Sequence, residues 1–150
     1  MTKLTNFLLI ISFFLSSVFA FANSGHNWDV YYEDAKVKIS YQKQECNFEN
    51  HFNQEFVLIK IENLTSNTIL LQWDSKIWYD ESCINCEQDN AEFRKEIKVE
   101  SNQTIKGNCS EHNALRIFSK FTDKLEDMPG VDKIVSLTKF ELKNLKITNE

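Results

Sequence analysis

Four cysteines and two histidines carry the most distinctive chemistry in this sequence: Cys46, His51, Cys83, Cys86, Cys109 and His112. Cys83 and Cys86 form a C-x-x-C pair within the stretch DESCINCEQDN. The other two cysteines stand alone, and each is followed by a histidine within five residues. Thiols and imidazoles in this pattern are typical of disulfide bonding, metal binding or thiol–disulfide exchange.

Disulfide bonding is the first interpretation, because an even number of cysteines in an exported chain is typical of structural disulfides. Four cysteines allow three pairings. We expect Cys83–Cys86, because this small ring can close within one turn, together with Cys46–Cys109, which would tie the ends of two strands. No cofactor is required under this interpretation.

Metal binding is the second interpretation. Zinc prefers four soft ligands in a tetrahedron, and copper in an exported protein uses the same thiolates and imidazoles. The ligands would come from the four cysteines, with His51 or His112 in addition. A strong zinc signature has two closely spaced ligand pairs, whereas here the only such cysteine pair is Cys83 and Cys86, with Cys109 and His112 standing three residues apart.

Thiol–disulfide exchange through Cys83 and Cys86 is the third interpretation. A reactive thiolate is usually stabilised at the N-terminus of a helix, which lowers its pKa. Here the pair follows a predicted strand and lies among four acidic residues, Asp80, Glu81, Glu87 and Asp89. These charges would raise the pKa of a thiol, and the βαβ pattern of a thioredoxin-like domain is missing.

The first residues of the chain have the pattern of a secretory signal peptide. Lys3 precedes an apolar run over 7–19, and Ala-Phe-Ala at 20–22 fits the cleavage rule of small residues. The sequence therefore predicts a signal peptide over 1–22 and one domain over 23–150, with no membrane span after cleavage. The protein is expected to be secreted or periplasmic.

The charge pattern argues against nucleic acid as a partner. The chain has 22 acidic and 17 basic residues, for a net charge of −5. The basic residues are scattered along the sequence, whereas a nucleic-acid-binding surface needs a basic patch.

The rest of the sequence alternates apolar and polar residues with a period of two, which is typical of half-buried strands. The pattern predicts about seven strands in an all-β, immunoglobulin-like antiparallel β-sandwich. The stretches are KVKISYQ, EFVLIKIEN, ILLQWDSKIWYD, FRKEIKV, IKGNC, ALRIFSKF and LTKFELKNLKI. In the last one the apolar phase slips by one residue between Leu142 and Leu145, which predicts a β-bulge near Lys143 and Asn144.

Strand order gives a prediction about the cysteines. If successive strands run up and down, the first strand ends near Cys46, the third ends before Cys83, and the fifth returns to end at Cys109. All four cysteines, together with His51 and His112, would then lie in the loops of one end of the sandwich. The loop around Met128 would lie at the opposite end.

Three stretches give the chain a resemblance to known proteins: FVLIKIENLTSNTILLQW, the C-x-x-C after the next strand, and LTKFELKNLKI near the end. In these stretches the chain resembles uncharacterised secreted immunoglobulin-like β-sandwich proteins of Bacteroidota. The resemblance implies a fold and a compartment, and it implies no activity.

The sequence favours a non-enzymatic exported module that binds another envelope or extracellular protein, or serves as a structural element of the cell envelope. No nucleophile elbow, phosphate-binding loop or histidine–glutamate metal motif is present in the sequence. The alternative is a periplasmic or extracellular zinc or copper protein that uses the cysteine cluster.

Overall fold

A computed structural model describes residues 27–49, 51–87, 91–110 and 114–149. The predicted all-β sandwich is confirmed, since two antiparallel sheets pack face to face in this part of the chain. The described residues form nine strands: β1 Asp29–Glu33, β2 Val37–Cys46, β3 Gln54–Asn63, β4 Ile69–Tyr79, β5 Ser82–Cys83, β6 Arg94–Val99, β7 Thr104–Lys106, β8 Arg116–Phe121 and β9 Leu137–Asn149. None of the described helices is long and apolar enough to cross a membrane.

Each of the seven predicted stretches contains a strand, and β1 and β5 are two further short strands that the sequence pattern does not include. The β1 sequence, DVYYE, has no clean alternation, and β5 has only two residues. The predicted signal peptide lies outside the described residues.

Each sheet is built around one long strand. In sheet A, β3 pairs with β2 on one side and with both β7 and β8 on the other, while β1 forms the outer edge beside β2. In sheet B, β4 pairs along its whole length with β9 on one side. Its other side pairs with β6 over the first half and with β5 at the end.

The core lies between the sheets and follows the predicted alternation. From sheet A it takes Ile39 and Ile59, and from sheet B it takes Leu71 and Trp73, all of which are buried. Burying one large aliphatic or aromatic side chain stabilises the fold by about 1.5–3 kcal/mol. The predicted bulge in β9 is confirmed, since the register with β4 shifts next to Asn144, whose φ is +53°.

Strands β7 and β8 are one strand with an interruption. Both run antiparallel to β3, so they point in the same direction. The amide of Gly107 donates to the Ile59 carbonyl, and the Ile59 amide donates to the Leu115 carbonyl. The chain therefore leaves the sheet after Gly107 and returns at Leu115 to continue beside β3. We call the described residues of this segment, 108–110 and 114, the excursion.

This interruption overturns the assumption that successive strands run in opposite directions. The first five predicted stretches alternate in direction as expected, but the sixth, β8, has the same direction as the fifth, β7. The predicted position of the loop around Met128 is therefore wrong, because β8 ends at Phe121 beside Gln54 at the start of β3. The alternation sets which face each side chain takes, but it carries no information about strand direction.

The two ends of the sandwich differ in loop length. At one end the turns are short, over 34–36, 64–68 and 100–103. At the other end the connections are long, over 47–53, 80–93 and 122–136. Long connections on a rigid scaffold are where binding residues are most often found.

Candidate functional site

The predicted disulfide between Cys46 and Cys109 is present. Cys46 is the last residue of β2, is 1% exposed, and packs with Phe56 and Leu58 in a small second apolar cluster. These side chains have the opposite phase to the inter-sheet core, so the cluster lies on the outer face of sheet A. The bond therefore fastens the start of the excursion to this outer face.

Two polar contacts add to this attachment. The Arg116 guanidinium donates to the Cys109 carbonyl at 3.0 Å, and its charge lies over the Phe56 ring at 4.5 Å. The Gln44 amide donates to the Cys109 sulfur at 3.7 Å. The surroundings of this disulfide are those of a structural bond that holds a long loop to a sheet.

The predicted disulfide between Cys83 and Cys86 is also present, and it holds Asn85 in an unusual position. Asn85 is 1% exposed. Its side-chain oxygen accepts from the Ile77 amide at 3.0 Å, and its side-chain nitrogen donates to the Ser75 carbonyl at 2.7 Å. The Asn85 amide thus fills the gap along β4 between β5 and β6, as a short piece of strand would. The tight C-x-x-C ring positions this side chain.

Asn85→Ala should lower the free energy of unfolding by about 2–3 kcal/mol, because the Ile77 amide and the Ser75 carbonyl would lose their partner. Chemical denaturation monitored by tryptophan fluorescence measures this change. Ile84→Ala is the matched control, since Ile84 lies in the same ring with 50% of its surface exposed. An equal loss in both variants would show that the ring matters and the Asn85 hydrogen bonds do not.

The cysteines and histidines do not gather into one cluster. The two disulfides lie on different sheets and use all four sulfurs. Among the described residues, no group of three or more histidine, cysteine or acidic side chains is placed to hold a metal. His51 lies in the connection between β2 and β3, and His112 lies outside the described residues. Cys46, His51 and the Cys83–Cys86 ring thus lie at the same end of the sandwich, as expected, but the cysteines there form two separate disulfides and not one cluster.

The hairpin that precedes the C-x-x-C ring has a strained backbone. Asp80 and Glu81 join β4 to β5, with φ values of +45° and +69°. A two-residue turn with two positive φ angles normally has Asn-Gly or a similar pair, because a Cβ atom is disfavoured there. Acidic residues occupy both positions in this chain.

Asp80 is fastened to the connection between β8 and β9. Lys133 lies 2.6 Å from one carboxylate oxygen, and the Ser136 amide donates to the other at 3.1 Å. The Lys133 hydrogen bond, followed by that of Ser136, lowers the pKa of Asp80 below its usual value. Because the folded-state pKa is the lower one, this contact stabilises the fold above the usual pKa of an aspartate, and the contribution is lost as the pH falls through the lowered pKa.

Glu81→Gly should raise the free energy of unfolding by about 1 kcal/mol, because glycine adopts a positive φ without a steric penalty. Thermal unfolding gives the shift in melting temperature. Glu81→Gln is the control, since it removes the charge and keeps the Cβ atom. If Glu81→Gln stabilises as much as Glu81→Gly, charge repulsion and not backbone strain is the cause.

An open cleft of about 570 Å³ lies at the same end of the molecule, where β2 connects to β3. It is lined by Glu49, His51, Phe52, Gln54 and Phe121. The Phe52 and Phe121 rings are in edge-to-face contact, with centroids 5.9 Å apart. The cleft therefore has an aromatic wall and a polar opening.

Hydrogen bonds hold the two sides of this cleft together. Asp123 accepts from the Asn53 backbone amide at 2.7 Å and from the Asn53 side chain at 3.0 Å. The Thr122 hydroxyl donates to Glu45 at 2.9 Å. The connection after β8 is thus fixed to the connection before β3, so that the cleft is preformed.

Negative charge is concentrated at this end. We define the acidic end as the described residues of 47–53, 80–87 and 122–136. These residues include eight acidic side chains and two basic ones, Lys124 and Lys133, so their net charge is −6. All described residues together have 19 acidic and 16 basic side chains, for a net charge of −3, so the rest of the described residues carries a net charge of +3.

Comparison with protein-family models, with curated proteins and with solved structures finds no match for this chain. The site is therefore argued from its own geometry. Sequence reasoning missed the part that Asn85, Phe52 and Phe121 play in this site. Asn85 and Phe52 lie in polar loops that give no periodic signal, and Phe121 ends the predicted strand ALRIFSKF, whose alternation gives no sign of a cleft. The connections over 47–53 and 80–87 were expected at one end, but the position of 122–136 at the same end depends on the direction of β8.

Proposed function

We propose that this chain is an exported, disulfide-stabilised module that binds another protein of the cell envelope or extracellular space, and that it does not catalyse a reaction. The observation that carries the proposal is the acidic end, where three long connections, a preformed cleft and a net charge of −6 come together on a rigid scaffold. Loops held in this way are typical of binding surfaces.

The strand order supports an immunoglobulin-like assignment. Strand β3 pairs with β8 across the interruption, while β4 pairs with β9 and, on its other side, with β6. If β3, β4, β8 and β9 are taken as strands B, C, E and F, this is the B–E and C–F pairing of that architecture. Trp73, 2% exposed in the middle of β4, has the position of the buried tryptophan on strand C.

Export is supported by two independent features. The first 22 residues have the pattern of a signal peptide. Two disulfides without a free cysteine among the described residues fit an oxidising compartment. Both features favour a secreted or periplasmic protein.

The intact mass of the protein secreted by a bacterial host tests the first half of the proposal. We expect a chain that begins at Asn23, lacks four hydrogens relative to the reduced form, and contains no metal by elemental analysis. Four titratable thiols with a stoichiometric bound metal would favour the zinc or copper alternative. Rapid reduction of Cys83–Cys86 alone, with insulin-reductase activity, would favour a thiol oxidoreductase.

Capture of a partner from envelope extracts of the native host tests the second half. We expect the immobilised protein to retain one partner at a fixed stoichiometry, and a variant with three substitutions in or beside the acidic end (Glu45→Gln, Glu49→Gln, Glu126→Gln) to lose it. The control variant carries three substitutions away from the acidic end (Asp29→Asn, Glu33→Gln, Glu62→Gln). Equal capture by all three proteins would overturn the proposed binding end.

A further inference from the structure

We infer that the acidic end binds a basic segment of its partner protein and that one apolar side chain of this segment enters the cleft lined by Phe52 and Phe121. This inference rests on the proposed function and specifies the chemistry of the partner. It rests on the shape of the cleft, on the charges around it, and on acidic residues at this end that occupy positions where they reduce the stability of the fold.

The cleft is large enough to admit an apolar side chain together with neighbouring atoms of a partner segment. Its volume of about 570 Å³ is in the range of sites that hold small ligands. The Phe52 and Phe121 rings are both half-buried, so they still offer apolar surface to a partner. Aromatic rings at the centre of a contact commonly supply most of its binding free energy.

Carboxylates surround this aromatic wall. Glu49 lines the cleft itself. Asp123 lies two residues beyond Phe121, and Glu45 accepts from the neighbouring Thr122. Glu55 follows Gln54 and carries the ion pair with Lys43 at 3.5 Å. Basic side chains that flank an apolar anchor would therefore each find a carboxylate near the cleft.

The local sequence keeps this negative charge although it reduces stability. Glu45 and Glu55 are directly opposite each other on β2 and β3, which is an unfavourable cross-strand pair. Glu81 keeps an acidic side chain, with φ of +69°, at a position that favours glycine. Local choices that oppose the fold are expected where function requires them.

A partner protein fits these observations better than a second copy of the chain does. If two copies associated, the acidic end of one would be expected to contact the most basic surface of the other, which is the outer face of sheet B. This face has six basic residues, Lys76, Arg94, Lys98, Lys139, Lys143 and Lys146. However, the acidic residues of that face already bind several of these cations. Asp74 pairs with Arg94, and Glu141 pairs with Lys139 and Lys143.

Fluorescence anisotropy with two labelled peptides tests the inference on the exported protein. One is a short lysine-rich peptide with a central leucine, and the other has serine in place of this leucine. We expect the leucine peptide to bind about tenfold more tightly, because only its side chain can fill the cleft. The triple variant at Glu45, Glu49 and Glu126 should weaken binding of both peptides about tenfold, and more strongly at low salt.

Two controls make the result decisive. The triple variant at Asp29, Glu33 and Glu62 should bind both peptides as the wild type does. Phe52→Ser should abolish the preference for leucine while it leaves binding of the serine peptide unchanged. If Phe52→Ser does not fold, the comparison of the two peptides on the wild-type protein still tests the cleft.

Three results would overturn the inference. The first is equal affinity for the two peptides, and the second is an equal loss of binding in the two triple variants. The third is self-association by sedimentation that the substitutions at Glu45, Glu49 and Glu126 abolish, which would make the occupant a second copy. If the native partner is nevertheless captured through the acidic end, the proposed function stands and only the partner chemistry is wrong.

Discussion

Removing the Cys46–Cys109 disulfide should lower the free energy of unfolding by about 4 kcal/mol, as the chain-entropy model gives for a loop of this length. The two cysteines are 63 residues apart, whereas Cys83 and Cys86 are three apart. The same model gives about 2 kcal/mol for the small ring. The double variants Cys46→Ala/Cys109→Ala and Cys83→Ala/Cys86→Ala therefore form a matched pair.

Chemical denaturation of both variants, at equal protein concentration, measures the difference. The long-range bond also fixes the buried cluster of Cys46, Phe56 and Leu58, so its loss should loosen the outer face of sheet A. Hydrogen exchange should then be faster in the excursion and at its two ends. Equal destabilisation by the two double variants would contradict the structural role that we assign to Cys46–Cys109.

Gly107→Ala should lower the free energy of unfolding by about 3 kcal/mol, because overpacking against a rigid group costs this much. A Cβ atom at Gly107 would clash with the Leu115 carbonyl oxygen, which is a backbone atom that accepts from the Ile59 amide. The clash falls at the point where the excursion leaves and rejoins the sheet, and the chain can relieve it only by breaking the β3 ladder. Thermal and chemical unfolding of the variant measure the loss.

Gly130→Ala is the control for this substitution. Gly130 has a positive φ of +84°, and a Cβ atom added there would meet no other atom within 4 Å. Its replacement should cost about 1 kcal/mol, from backbone conformation alone. If the two alanine variants lose the same stability, close contact at Gly107 is not the reason for its glycine.

The face of each side chain and the pairing of the cysteines followed from the sequence. Ile39, Ile59 and Leu71 face the core as their alternation predicts, and the bulge beside Asn144 follows from a phase slip between Leu142 and Leu145. These features are local, since the period of a strand fixes which face a residue takes. The two disulfides agree with the expected pairing, and β7 has the direction that the argument for Cys109 assumed.

Other features depend on contacts between distant residues. Asn85 completes the edge of β4 only because the C-x-x-C ring folds back against Ser75 and Ile77. The cleft exists because Phe121 meets Phe52 across the end of sheet A. The residue pattern of a single stretch of sequence does not indicate such contacts between distant residues.

By itself, the sequence determined an all-β chain with paired cysteines and an alternating core, because side-chain direction and ring closure are local properties of the backbone. The tertiary structure alone decided that β7 and β8 run in the same direction, and this in turn brought the connection over 122–136 to the end where 47–53 and 80–87 lie. Strand direction is set by which partner completes the hydrogen bonds of β3, and those partners lie dozens of residues away along the chain.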